Sequence, residues 1–331
     1  MNNDEEKLGK GAIIDTPDER DYVFTGVAGG LEPFDWNKGY DIEEVIGKKL
    51  DIKDQDGSYS CGGQAWAYYG QVLDPEHVQK SAKFIYSQTF VGSGGSAGRT
   101  NSDLVCSKGW GDEDLTTSYE NGLPPSEIFM ERPQDITPEA FSRALLDRGL
   151  KYGHANLNID DIAVAIRENK GCILGVYGKN NGTWLSPFPV PPDTLSQCWA
   201  HWTYCGKAKL INGKKYIGFA NSWGKSVGEE GWQWYGEEYF QANGFFSSWT
   251  IGYNNIVPPV IPVTYKTIRR GSRGVDVKEL QTILNRKVGC NLSVDGIFGE
   301  MTLRQVLNFQ TINNLVVDGI VGPKTWAVLN K

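Results

Sequence analysis

The chain is poor in histidine, with three in 331 residues, so few positions can supply imidazole chemistry. It also lacks any run near the ~18 apolar residues that a membrane-spanning helix needs, which argues against a membrane span. The amino terminus, MNNDEEKLGKGAIID, has neither a basic segment leading into an apolar stretch nor a twin arginine. No standard export signal is expected, and the chain is expected to be cytoplasmic as made. The six cysteines, at 61, 106, 172, 198, 205 and 290, match no zinc spacing, and without an export route free thiols are expected. No metal-ligand pattern and no nucleotide-binding motif stands out, so no cofactor is expected.

What is abundant is aromatic residues and glycine: 11 Trp, 15 Tyr and 40 Gly, the composition of a loop-rich globular protein. The length suits one sizeable domain and a smaller one. VPPVIPV at 257–263 puts three prolines in seven residues, which stiffens the backbone and removes amide donors. We therefore expect a first domain at 1–253 with a flexible tail at 1–15, a proline-rich linker at 254–267 and a small domain at 268–331. Charge divides the same way. Residues 266–331 hold ten Lys or Arg against five Asp or Glu, or +5, which leaves −12 of the overall −7 on the first 265. A basic module suits an anionic surface such as a bacterial wall or nucleic acid; the wall is the expected partner and nucleic acid is not.

The small domain contains a repeat, SVDGIFGEMTLRQV at 293–306 and VVDGIVGPKTWAVL at 316–329, at an offset of 23 residues. Asp295, Gly296, Gly299 and Thr302 recur as Asp318, Gly319, Gly322 and Thr325. Each copy reads as an Asp-Gly turn, a second glycine at a backbone position suited to positive φ, and a helix start. Val277, Leu280, Ile283 and Leu284 share one helical face, and Leu303, Val306, Leu307 and Gln310 continue that spacing in the next helix.

In the large domain, KDQDGSYSCGGQAWA places Gln55 six residues before Cys61, at the start of a helix-compatible stretch where amides and dipole favour a thiolate. Of the histidines, His77 lies in a polar segment read as exposed helix and His154 just before a probable helix at 160–168. Only His201, in CWAHWTYCG, is sheltered in a strand-like aromatic run and followed by an NSWG segment, Asn221 to Gly224. Thiol, imidazole and two amides make a complete acyl-transfer set. Helices near 61–72, 137–147 and 159–168 and strands at 171–177, 199–205 and 216–221 are expected, an α+β arrangement.

The order Gln55, Cys61, His201, Asn221, with NSWG followed by GEEGW, resembles the papain-like cysteine proteases of family C1. The resemblance implies a two-lobed catalytic domain with Cys61 on a helix of one lobe and His201 and Asn221 on the sheet of the other. It implies Cys61 as nucleophile, ion-paired with His201 as base, Asn221 orienting the imidazole under Trp223, and Gln55 as an oxyanion donor. Gly109 and Trp110 in SKGWGDED resemble the glycine segment that lines the substrate cleft. The sequence departs in three places: Ser58 replaces a familiar disulfide cysteine, Gly62 replaces a tryptophan after the nucleophile, and His201 to Gly206 is one residue short of the usual pattern. With only 60 residues before Cys61 there is no room for a long inhibitory propeptide, and the enzyme is expected to be active as made.

Residues 268–330 resemble the three-helix peptidoglycan-binding domain, with Asp295, Gly296, Gly299, Asp318, Gly319 and Gly322 as its motif. The combination implies a monomeric peptidase that cuts wall peptides after release, as a phage endolysin does. The alternatives are a wall-tethered protease of protein substrates and a non-catalytic wall-binding protein.

Overall fold

The computed structural model describes residues 9–329 except 17, 19–20, 148–149, 253–255, 258–265 and 314. They form two compact units, 1–259 and 260–331. Most of the proline segment lies outside the described residues; Ile256–Val257 pair antiparallel with Val23–Phe24.

The first unit has two cores. One collects the helices Cys61–Leu73, Ala82–Thr89 and Gly98–Lys108 around Trp66, Tyr69, Phe84 and Trp110. The other lies on a seven-stranded sheet, where Ile162, Ile166, Leu174, Trp184, Phe219 and Tyr235 pack together. Strand order from one edge is Lys151–Gly153, Phe245–Gly252, Cys172–Gly178, Trp199–Ile211, Lys214–Ala220 and Trp232–Gly236, every neighbour antiparallel; Tyr40–Asp41 also pairs with Trp199–Ile211. Successive side chains of a strand point to opposite faces. Along Trp199–Ile211, Trp202 and Tyr204 therefore enter the helical core while Trp199 and Cys205 face the other. That alternation sets His201 on the Trp199 face while its chain neighbour Trp202 stays against the nucleophile helix.

The helix Gly98–Lys108 has no side chain of its own capping its amino end. Its cap comes from afar: Asp15 accepts from the amides of Gly98 (3.0 Å) and Arg99 (3.1 Å), while the Arg99 guanidinium clasps Asp21 and Thr16 O. Residues 9–15, expected as part of a flexible tail, are instead built into the domain.

The second unit packs helices Val275–Val288, Glu300–Ile312 and Pro323–Leu329 around Leu280, Leu284, Phe309 and Trp326. The repeat is explained by a buried glutamine in each copy. Gln281 Nε2 donates to Asp295 Oδ1 (2.9 Å) and Ile297 O (3.1 Å) while its Oε1 accepts from Gly296 N–H (2.9 Å). Gln310 does the same to Asp318 (2.9 Å), Ile320 (3.0 Å) and Gly319 (2.9 Å). Gly296 (φ 75°) and Gly319 (φ 71°) need the left-handed region. Gly299 does not: it is an extended residue preceding a helix, φ −89°, which corrects the expectation of positive φ at the second glycine. The motif aspartates and first glycines are thus occupied in holding turns. Gln310→Ala removes these partners at an expected cost of about 2–4 kcal/mol. Amide exchange at Gly319 should quicken at least about 30-fold, and unchanged exchange would refute the clamp.

Candidate active site

Cys61 is the first residue of its helix, and Ser60 before it makes no side-chain cap, so the amides at that terminus remain available. His201 Nε2–H donates to Asn221 Oδ1 at 3.0 Å. That bond fixes the tautomer and leaves Nδ1 as the lone pair, the atom that can take a thiol proton. Among the described residues His201 Nδ1 makes no hydrogen bond, although it is fully buried.

The orientation of Asn221 is itself enforced. Its Nδ2 donates to Gln233 Oε1 (2.6 Å), and Gln233 Nε2 donates to the carbonyls of Trp184 (2.8 Å) and Ser186 (2.6 Å). Gln55 is set by Ser222, whose hydroxyl donates to Gln55 Oε1 at 2.5 Å, turning Nε2 the other way. Tyr68, on the nucleophile helix, donates to Asn221 O (2.9 Å) and ties the two lobes at this point. Trp223 stacks on His201 at 4.7 Å between ring centroids and is 3 % exposed. Gln233, Ser222 and Tyr68 were not singled out from the sequence, since nothing in their spacing marks them.

The cleft is filled by the chain's own amino-terminal segment. Gly9 O accepts from Gln55 Nε2 (3.0 Å) and from Trp223 Nε1 (3.1 Å), and Gly11 N–H donates to Cys61 Sγ at 3.3 Å. Gly11 O then accepts from Ser96 N–H at 2.9 Å, and Ala12–Ile13 run parallel to Ser96–Ala97. A Cβ on Gly9 would lie 1.8 Å from Ser58 O, and one on Gly11 1.8 Å from Tyr59 O. Only glycine fits either position. The sulfur is met by an amide N–H, which is no electrophile.

Burial under the strap sets the protonation states. The Cys61 thiol is pushed up to about 12 by loss of water, against hydrogen bonds from the amides of Trp202, Gly11 and Gly62. His201 is pulled down to about 4 by the same burial, which outweighs its bond to Asn221, and nearby Lys10 adds to the fall. Burial therefore works against the thiolate–imidazolium pair implied by the sequence, because a dry site penalises both charges.

Of the other positions named from sequence, Gly109 and Trp110 are not in the cleft. Trp110 is 2 % exposed and gives its indole N–H to Trp66 O (2.9 Å), and a Cβ on Gly109 would strike Ala144 O. The glycine segment that meets the cleft is Gly94–Gly95, where a Cβ on Gly95 would lie 2.3 Å from Gly11 O. The signal for it, GSGGS at 92–96, was in the sequence. His77 sits in a turn with φ 53°, not in a helix, and its Nδ1 meets Gln71 O. His154 lies tilted against Trp249, ring centroids 3.8 Å apart, and its Nε2 meets Asp21 Oδ2 at 3.2 Å. Among the described residues all six cysteines are free thiols and no cluster of His, Cys, Asp or Glu could hold a metal.

The peptidoglycan binding domain family matches residues 273–329. Over the first unit the chain is similar to xylellain, a cysteine protease from Xylella fastidiosa, at 21 % identity and TM-score 0.59, covering 75 % of this chain and 97 % of that one. Bromelain from Ananas comosus matches at 15 % identity and TM-score 0.51, covering 65 % and 99 %. A short likeness to the endolysin of Burkholderia phage AP3 spans 20 % of this chain and 25 % of that one, at 48 % identity and TM-score 0.19, too local to bear on the whole. The first unit thus has the papain-like cysteine-protease fold. It is followed in the same chain by a peptidoglycan-binding domain.

The pKa directions make strap release pH-dependent. Below 6.5, the ordinary imidazole value, an open site binds a proton that the closed site refuses until about 4, so closure weakens as pH falls through that window, by about 3 kcal/mol in full. Above 9, an open thiol ionises while the closed one holds its proton to about 12, so closure weakens again. Closure should be tightest between about 6.5 and 9. The ratio of Cys61 alkylation rates, wild type over Gly11→Ala, is expected to be lowest there and to climb on both sides; a flat ratio would contradict this account.

Proposed function

We propose that the chain is a cysteine endopeptidase directed to the bacterial wall, held latent by its own strap at residues 9–13 rather than active as made, the expectation from the sequence alone. The observation that carries this reading is the Gln55–Ser222–Asn221–His201 network together with Cys61 at an uncapped helix terminus, one strap touching both Gln55 and the Cys61 thiol. With the strap displaced, water returns to the cleft and both pKa shifts relax. Cys61 then gives its proton to His201 Nδ1, and the thiolate attacks a peptide carbonyl carbon. The oxyanion is received by Gln55 Nε2 and the Cys61 amide. Collapse breaks the C–N bond, with His201 giving its proton to the leaving amine. Water, deprotonated by His201, then cleaves the thioester and frees the acid. Asn221 keeps the imidazole in the required tautomer throughout.

The peptidoglycan-binding domain supports a wall peptide as substrate, since anchoring on the polymer raises local substrate concentration. A wall-tethered protease of protein substrates uses the same chemistry and is the second reading. The intact network speaks against a non-catalytic scaffold. The endolysin-like role stays an expectation from sequence, to which the fold adds nothing.

Wild type, Gly11→Ala and Cys61→Ala, incubated with purified sacculi and separately with an unstructured protein, test the reading by mass spectrometry of released ends. Gly11→Ala is expected to be the most active, because it unseats the strap without touching the network. Cys61→Ala is expected to release nothing. Cleavage of protein alone would favour the second reading, and inactivity of Gly11→Ala on both substrates would remove the peptidase reading. In the Gly11→Ala background, Gln55→Ala should lower kcat about 100- to 1,000-fold.

A further inference from the structure

Lys10 is the long side chain in the strap's Gly9–Ala12 stretch, and its place in the cleft is specific. Its ammonium lies 5.3 Å from the ring centroid of Trp199 and 6.0 Å from that of Trp223, and it meets Asn180 Oδ1 at 3.4 Å. That oxygen is already aimed by the Trp199 indole N–H, which donates to it at 2.9 Å. The two indoles meet edge to face at 6.1 Å and flank the catalytic ring, Trp223 stacked on His201 and Trp199 edge-on at 6.3 Å. Two aromatic faces and one amide oxygen lie around the ammonium, an arrangement that favours a cation. The −12 carried by residues 1–265 favours entry of a cation from a distance.

We propose that Trp199, Trp223 and Asn180 form a subsite for an ammonium-bearing side chain on the substrate residue that supplies the leaving amine. The inference rests on the peptidase reading above. His201 must hand its proton to the leaving nitrogen, so the residue carrying that nitrogen lies on the His201 side of the cleft. The indoles that flank His201 are the surface its side chain meets. Lys10 shows that a four-carbon stem spans the distance. The preferred substrate class is a peptide with lysine or another diamino residue immediately after the scissile bond, chemistry that wall peptides provide.

The test uses the full chain carrying Lys10→Ala and Gly11→Ala, which frees both cleft and subsite. Peptides differing only in lysine, norleucine or glutamate after the scissile bond are compared by kcat/KM. Lysine is expected to exceed norleucine by about 2- to 30-fold and glutamate by more. Asn180→Ala, at an exposed position, and Trp199→Leu should bring the lysine-to-norleucine ratio towards one while norleucine turnover persists. Equal turnover of lysine and norleucine, or a ratio untouched by both variants, overturns the subsite and leaves the peptidase reading intact. A binding arm separates the opposite failure. The same chain with Cys61→Ala is titrated with the peptide Gly-Lys-Gly-Ala-Ile and its norleucine counterpart. If no peptide is cut but lysine is bound several-fold more tightly, the subsite stands and the peptidase reading falls; equal binding sinks the subsite.

Discussion

Everything at this site depends on which way three side-chain amides point. An amide can be reversed at little steric cost, so its orientation has to be imposed by partners that cannot reverse. Here the fixed partners are the backbone carbonyls of Trp184 and Ser186, which accept only. They orient Gln233, Gln233 orients Asn221, and Asn221 places the imidazole proton on Nε2 and the lone pair on Nδ1. A parallel branch runs through the Ser222 hydroxyl to Gln55. The two branches meet at Asn221 and Ser222, the two residues after the strand Lys214–Ala220. The nucleophile's helix is joined to them through Tyr68. A buried polar network of this kind is useful only when each member is satisfied. The member left unpaired, His201 Nδ1, is the atom the chemistry needs free.

The strap exploits that arrangement rather than distorting it. Gly9 O takes the donor that an oxyanion would take, and Gly11 N–H takes the sulfur, so the site is filled by hydrogen-bond mimicry with the polarity at sulfur reversed. The same seat removes water, and dryness disfavours charge on thiol and imidazole alike. Latency therefore has two components, steric and electrostatic, and each requires the close approach that glycine at 9 and 11 permits.

Much of this was legible in the sequence, for identifiable reasons. The helices at 61–73 and 159–169 and the strands at 172–178 and 214–220 lie close to the stretches that residue type and patterning marked as helix or strand. His201 and Asn221, marked by order and local context, are hydrogen-bonded to each other, and the strap touches both Gln55 and Cys61. Three things were hidden. The helix Gly98–Lys108 begins with glycine and is polar, and its cap, Asp15, lies 83 residues away, so no local window contains its reason to form. Trp110 looked like a cleft residue because a Gly-Trp pair fits a cleft, yet its indole seals the back of the nucleophile helix. The strap reads as a tail because GKGA has no periodicity. Its small residues are explained only by the 1.8 Å a side chain would leave to Ser58 and Tyr59 carbonyls.

An intramolecular strap also places a constraint on which substrates can be cut. A segment tethered a few tens of residues from its seat competes at an effective concentration on the order of millimolar. A dilute soluble peptide with micromolar affinity displaces it poorly, since its own concentration must exceed its affinity multiplied by the closure constant. A polymer presenting many copies at one surface meets that condition more easily, and a module anchoring the chain to the polymer meets it more easily still. The peptidoglycan-binding domain and the strap then act on one equilibrium from opposite sides. Under the proposed function, anchoring would raise the local concentration that the strap makes necessary, and the closure constant would suppress activity away from the polymer.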